Sequence, residues 1–400
     1  MMPPDAMPKT PERFLTLMAV AATIAFATWQ TLLNNFAIEH AAFTGAEIGI
    51  LQSLREVPGF LAFTAVFLLL ILLEQTLALL ALATLAVGVA ITGMLPTTYG
   101  LYATTVLMSI GFHYYETLQS SLTLQWLPKQ HTAVFMGRVI AAKAAASLST
   151  FATIWLLFEL FEVAYHWIYL LAGSISCTLV FYLWRAFPRF TQPAVQHRKL
   201  LLRRRYWLYY ALTFMSGARR QIFIVFAGFL MVEKFHYSVA AISLLFLANQ
   251  ALNLLLAPRL GRLVQRLGER RALMLEYSGL IAVFSGYALA NSAETAAVLY
   301  VIDNLFFVMA IAMKTYFQKI ADPQDIAATA GVSFTINHIA AVVIPVLFGL
   351  IWLQSPATVF LCGAFMAAIS LLLSFNIPLR PAPGNEALVG RFEAPPASST

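Results

Sequence analysis

Charge is what this sequence lacks most. Asp, Glu, Lys and Arg make up 11% of its 400 residues, against about 25% in soluble globular domains. With 60% apolar residues and a mean hydropathy of +0.77, that scarcity excludes a water-soluble fold. Cysteine is nearly absent: Cys177 and Cys362 stand alone in apolar stretches, without CxxC spacing, which argues against a disulfide framework or a thiolate metal centre. There is no glycine-rich phosphate loop ending in Lys-Ser or Lys-Thr, so direct ATP drive is not expected. Alternating polar and apolar strands are missing too. The apolar segments are continuous, as in 62–73 and 77–95, which excludes a membrane β-barrel. Residues 1–13 are polar and Pro-rich and lead into an apolar run without a small-residue cleavage pattern, so the first helix is expected to be retained.

What is present is a succession of membrane-length apolar runs. A hydrocarbon core of about 30 Å takes about 20 residues per helix, so a chain of this length holds roughly a dozen crossings. Apolar windows between polar or Pro/Gly breaks predict helices at 14–37, 46–73, 76–95, 98–125, 133–159, 164–187, 206–231, 238–258, 272–291, 296–319, 328–353 and 357–377. The expected architecture is an all-α integral membrane protein of twelve transmembrane helices in two pseudo-symmetric six-helix bundles. The bundles are expected at 13–187 and 206–378, preceded by a cytoplasmic segment at 1–12, joined by a basic linker at 188–205, and followed by a disordered tail at 379–400.

The formal charge of +7 could point to nucleic acid, but the basic residues sit between apolar runs and form no face with aromatic platforms. Topology accounts for them. On the side of the N-terminus fall Lys9, Arg13, Lys129, Arg185, Arg203 to Arg205, Arg270, Arg271 and most other loop cations; the opposite side receives Lys234. The positive-inside rule then places both termini and the linker in the cytoplasm, in a multi-pass protein of the cytoplasmic membrane. An offset of 194 residues, the separation of Ile48 and Ile242, also lays Gly137 on Gly331, Arg55-Glu56 on Asn249-Gln250 and Lys143 on Asn337. One offset serving two distant helix pairs predicts a duplicated six-helix unit.

Between the eighth and ninth predicted helices, the segment 261–271 reads Gly-Arg-Leu-Val-Gln-Arg-Leu-Gly-Glu-Arg-Arg. It resembles the basic loop signature of the major facilitator superfamily (MFS) at Gly261, Leu263, Arg266, Gly268, Arg270 and Arg271. It departs at Gln265, where the family usually carries an aspartate that helps lock a gate. The corresponding stretch of the first half, around Glu74, lacks the pattern. The resemblance implies two bundles rocking about a central site by alternating access, with the first, fourth, seventh and tenth helices lining the pathway.

An ionisable residue at the bilayer centre costs about 2.5–3.5 kcal/mol on insertion scales, so several of them indicate a pathway or mutual pairing. Arg55, Glu56, His113, Glu116, Lys143, Arg219, Arg220, Asp303, Lys314 and His338 all fall well inside predicted helices, whereas no comparable charge is expected in the third, sixth, ninth or twelfth. Arginine grips carboxylates and phosphates with a bidentate fork. Arg219 or Arg220 is therefore the first expected capture group for an anion, one of the two facing the pathway, with Lys143 and Lys314 as further cations. Gln30, Tyr115 and Asn337 would complete a substrate site, although aromatic packing and interhelical amide bonds explain such residues equally well. Proton coupling needs a group that changes charge, for which Glu116, His113, Asp303, Glu56 and His338 are the expected residues. The competing reading makes these acids structural partners of the cations, above all Glu56 beside Arg55 and ahead of Pro58, and makes His338 an ordinary interior histidine.

The expected function is secondary active transport of a small organic anion, coupled to protons or another ion, by a monomer surrounded by lipid. No cofactor, metal or nucleic acid is expected, and no enzymatic activity. Two alternatives stand: efflux of a cationic or metal-complexed compound through the acids and histidines, and a non-transporting receptor or membrane-embedded enzyme.

Overall fold

A computed structural model describes residues 9–69, 71–127, 129–190, 202–322 and 325–390. The expected N-terminal segment up to residue 8, linker residues 191–201 and tail residues 391–400 lie outside the described residues. The described regular structure is helical, apart from one isolated bridge between Ala382 and Asn385. The helices are α1 (Pro11–Ala41), α2 (Gly45–Phe60), α3 (Ala65–Leu68), α4 (Glu74–Thr92), α5 (Thr98–Trp126), α6 (Lys129–Glu159), α7 (Tyr165–Ala186), α8 (Trp207–Ile222), α9 (Gly228–Glu233), α10 (Val239–Leu267), α11 (Glu269–Leu289), α12 (Ala293–Met309), α13 (Ile311–Ile320), α14 (Ile326–Trp352) and α15 (Pro356–Ser374).

Among the described residues, nine helical stretches are long and apolar enough to cross a membrane. The remaining predicted crossings, α2, α5 and α10, are helical but shorter or interrupted by polar side chains. The expected helix 46–73 is broken. Pro58 and Gly59 lie in the last turn of α2, and the chain continues through a 3₁₀ turn, Ala62–Thr64, into the single turn of α3. Proline removes an intrahelical donor and crowds the preceding turn, so the break falls where the sequence weakens the ladder. The seventh predicted crossing runs from α8 through a π-helical turn, Phe223–Ala227, into α9.

The chain forms two compact units, one of residues 1–43, 54–196 and 237–250, the other of 44–53, 197–236 and 251–400. In the first, α1 packs on α6 and α7, and α4 on α5 and α7; in the second, α8 packs on α14 and α15, and α11 on α12 and α15. The same four pairings recur in the same order in both units. Small residues permit the close approaches. A Cβ on Gly111 of α5 would lie 2.2 Å from the Leu85 nitrogen of α4, and one on Gly88 would lie 2.7 Å from Met108.

Each unit also fastens the chain that leaves its last long helix, by different chemistry. In the first, Phe14 meets Trp126, Phe187 and Phe190 at ring-centroid distances of 5.7, 5.6 and 5.9 Å, while Gln75 donates to the Pro188 carbonyl and accepts from the Phe190 amide. In the second, Arg205 pairs with Asp322, Asp325 and Glu386, and Trp207 Nε1 donates to the Gly390 carbonyl at 3.0 Å. Residues 379–390, grouped by composition with the tail, are thereby held against α8 and α13, where Tyr316 donates to the Glu386 carbonyl.

Candidate functional site

On α8, Leu208, Leu212 and Ile222 are buried on one helical stripe, and Arg219 falls on the same stripe. It is 0% exposed and has two carboxylates for company: Glu276 of α11, 1% exposed, and Asp303 of α12, 0% exposed. Arg219 donates to Glu276 Oε1 at 3.3 Å and to Ser370 Oγ of α15 at 3.4 Å, and its guanidinium lies 5.0 Å from the Tyr277 ring centroid. Both carboxyl oxygens of Asp303, Oε2 of Glu276 and Nε of Arg219 have no hydrogen-bond partner among the described residues.

Glu276 corrects the expectation that the ninth helix carries no deep charge. The predicted start at 272 put Glu276 at the helix mouth, but α11 begins at Glu269, placing Glu276 two turns in. The need of a buried arginine for a charge partner points to it only once Arg219 is known to be the buried one.

Arg220, about 100° further around the helix, is exposed, with its guanidinium 6.0 Å from the centroid of Phe307. The two adjacent arginines therefore have different surroundings, one sealed among acids and one uncovered. Lys314 on α13 is exposed as well. Asn337 on α14 packs its amide where a Cβ on Gly217 would lie, 2.6 Å from Oδ1, and His338 beside it is 8% exposed.

In the first unit, Arg55 donates through Nε to Glu56 Oε1 at 3.0 Å and also pairs with it through Nη2. Its guanidinium lies 5.9 Å from the Trp29 ring centroid, and its backbone carbonyl accepts from Ser109. Lys143 on α6 and Glu116 on α5 approach to 3.9 Å with both side chains part-exposed, so an expected anion ligand and an expected proton carrier face each other. His113 and Tyr115 are buried at 7% and 1%, and Gln30 is exposed.

The signature segment is almost wholly helical. Gly261, Gln265 and Arg266 lie on α10 and Arg270 and Arg271 on α11, so the connection between the helices is Gly268 alone, at φ +75°. Glycine reaches that region without a Cβ clash, which explains its place in a one-residue turn. Gln265 carries no charge, but Glu269, next to the turn, pairs with Lys319 of α13 at 2.7 Å. Glu74, at the corresponding end of α4, accepts from Gln125 Nε2 at 2.9 Å.

The fold is shared with solved transporters. The nucleoside transporter NupG, in a mutant form, superposes with a TM-score of 0.75 at 15% identity, over 92% of this chain and 99% of that one. A bacterial homologue of the human lysosomal transporter Spinster, inward-facing and occupied, gives 0.68 at 14% identity over 91% and 95%. A POT family transporter in complex with a conjugated peptide gives 0.67 at 13% over 91% and 94%. No curated protein matches the sequence. The family model of the Major Facilitator Superfamily, however, matches residues 13–345 and 210–397. With its repeated helical units and membrane-length apolar helices, the chain belongs to the Major Facilitator Superfamily of multi-pass membrane transporters.

Proposed function

We propose that this secondary transporter moves a small organic anion across the cytoplasmic membrane, driven by protons, with both termini in the cytoplasm. Arg220 is the observation that carries the anion reading. It lies sixteen residues past Arg204 and thirteen before Glu233 in a 30-residue apolar segment, yet its side chain is uncovered. An arginine facing hydrocarbon at that depth is costly, whereas one facing a water-filled pathway is a fixed cation in position to grip an anion. Arg219, neutralised by acids of its own unit, is left out of the capture role that its neighbour takes.

Lys143 and Glu116 supply a second element. Their loose, part-exposed pairing at 3.9 Å makes Lys143 available to an incoming carboxylate or phosphate and couples its charge to that of Glu116. Gln30 of the first unit and Asn337 of the second, both exposed residues, are further neutral hydrogen-bonding candidates. The positive-inside distribution of Lys and Arg supports the orientation.

A thermal-unfolding screen of the purified protein tests the reading, because a ligand bound only by the folded state stabilises it by about 2.7 kcal/mol at a hundredfold excess over Kd. Carboxylates, phosphorylated metabolites, nucleosides, organic cations and divalent metals would be compared. Stabilisation by acids in the wild type, lost in Arg220→Gln and kept in a surface control such as Arg262→Gln, is the expected result. Stabilisation by cations or metals alone would overturn the anion reading and favour efflux of a cationic or metal-complexed compound. A response to nucleosides alone would replace charge by neutral hydrogen bonding as the basis of recognition.

A further inference from the structure

We propose that Arg219, Glu276 and Asp303 form a proton-binding site inside the second unit, holding one exchangeable proton shared between the two carboxyl groups. The proposal deepens the proton coupling put forward above and rests on it; it does not depend on the chemistry of the substrate.

Charge arithmetic is the first argument. With both acids ionised, one guanidinium and two carboxylates leave a net charge of −1 among side chains that are 0%, 1% and 0% exposed. An uncompensated charge so far from water is costly enough that the group neutralises instead. A single proton brings the cluster to zero. A metal cation would have to settle beside the guanidinium and would overshoot neutrality if divalent. The described groups that interact with the cluster are Arg219 from α8, Tyr277 and Tyr287 from α11, Tyr300 from α12 and the Ser370 hydroxyl from α15. Among these described groups, Arg219 is the one cation.

The second argument is that packing does not call for these charges. At the 194-residue offset, Arg219, Glu276, Asp303 and Ser370 correspond to Ala25, Leu82, Ser109 and Ser176 of the first unit, all 0% exposed. A bundle with the same helix pairings fills the same four places with small, apolar or hydroxyl side chains. The charges of the second unit are an addition to the fold.

The third is incomplete satisfaction. Among the described residues Asp303 accepts no hydrogen bond, and Glu276 uses one oxygen for Arg219. Arg219 thus has a second acid within its electrostatic reach, and a proton moving from one carboxyl to the other would move the preferred partner of the guanidinium with it. The backbone offers play for such a shift. The Phe223 amide is shared between the carbonyls of Arg219 and Arg220 at the entry to the π-helical turn, and α12 gives way to α13 at Ala310, seven residues beyond Asp303. Breaks in the helical ladder of this kind are where helices hinge.

Infrared difference spectroscopy of the full-length protein in lipid nanodiscs, in light and heavy water, tests the site without knowledge of the substrate. A protonated carboxyl absorbs in a carbonyl region separate from the ionised form. Wild type is expected to show that band at neutral pH, moving to lower frequency in heavy water. The band should be lost in Asp303→Asn or Glu276→Gln and retained in Glu116→Gln. Absence of the band in wild type, which needs no variant to fold, overturns the proposal. So does a band that never exchanges in heavy water, or one that survives both substitutions. Transport coupling is read separately, in proteoliposomes under an imposed pH gradient. Indifference of transport to the gradient with the infrared band intact would defeat the proton coupling proposed above while leaving the proton at this site.

Discussion

Two bundles built on one plan fill the same interior place in opposite ways. Ala25, Leu82, Ser109 and Ser176 close it in the first unit with no formal charge; Arg219, Glu276, Asp303 and Ser370 close it in the second with one cation and two acids. The first unit does bury an arginine, but it does so elsewhere, with Arg55 bound to the adjacent Glu56 so that the two charges cancel. The two units therefore share their helix pairings, while the second has an interior whose charges do not balance. A pair that cancels serves as structure. A set that balances only with a proton added is suited to exchange one.

The comparison is tested most severely by removing the cation. Arg219→Met should lower unfolding stability by about 3–5 kcal/mol, because it leaves two buried acids without compensation. Importing the first unit's residues together, as Arg219→Ala, Glu276→Leu and Asp303→Ser, should bring stability back to the wild-type level or above it, since well-packed neutral side chains often replace buried ion networks without loss. Chemical unfolding in detergent measures both. Failure of the triple variant to recover would show that the second bundle needs its charges for packing, and the parallel between the units would break there.

Single acids sharpen the contrast. Glu56→Gln strands Arg55 and should cost about 3 kcal/mol. Asp303→Asn removes a carboxylate that accepts no hydrogen bond among the described residues and should change stability by less than about 1 kcal/mol. Equal costs at the two positions would make Asp303 as structural as Glu56. A smaller effect tests the shared plan itself. Gly111→Ala would force a Cβ to 2.2 Å from the α4 backbone and should cost about 1–3 kcal/mol by overpacking, whereas Gly137→Ala, with no atom of the described residues within 4 Å, should be neutral or stabilise slightly.

The helical architecture was legible because lipid imposes length and continuity on each crossing, so apolar runs mark helices almost regardless of their neighbours. The recurrence of the helix pairings in the two units is in keeping with the repeat expected from one sequence offset. Helix ends were less legible: the break after Pro58 shortened α2, and the signature segment proved to be two helices meeting at Gly268. Sequence depth placed Arg219 and Arg220 at one level but could not tell the buried one from the uncovered one, because burial depends on which helix lies opposite. Glu276 escaped for a related reason. Its partner is 57 residues away, and a three-residue error in the start of α11 turned an interior acid into one at the helix mouth.

The smallest effect concerns the closures at the ends of the two bundles, and it separates them by chemistry. Phe14, Trp126, Phe187 and Phe190 close the first with rings that acid does not alter. In the second, Asp325 accepts from Arg203 at 2.9 Å and from Tyr206 at 2.9 Å. Burial pushes the Asp325 carboxyl up, but the hydrogen bonds from Arg203 and Tyr206 and the charge of Arg203 outweigh it and hold the group below its ordinary range. A depressed value in the folded state means that the contribution is fully present above the unfolded carboxylate range, near about pH 4, and is lost as pH falls through the folded value. Between neutral pH and about pH 5 the closure should therefore be unchanged. Further acidification should free the segment around Gly390 from Trp207, read as a change in tryptophan fluorescence and as faster proteolysis of the tail, with the first unit unaffected. Asp325→Asn should remove that acid-dependent step. A step that persists in the variant would show that Asp325 is not its source.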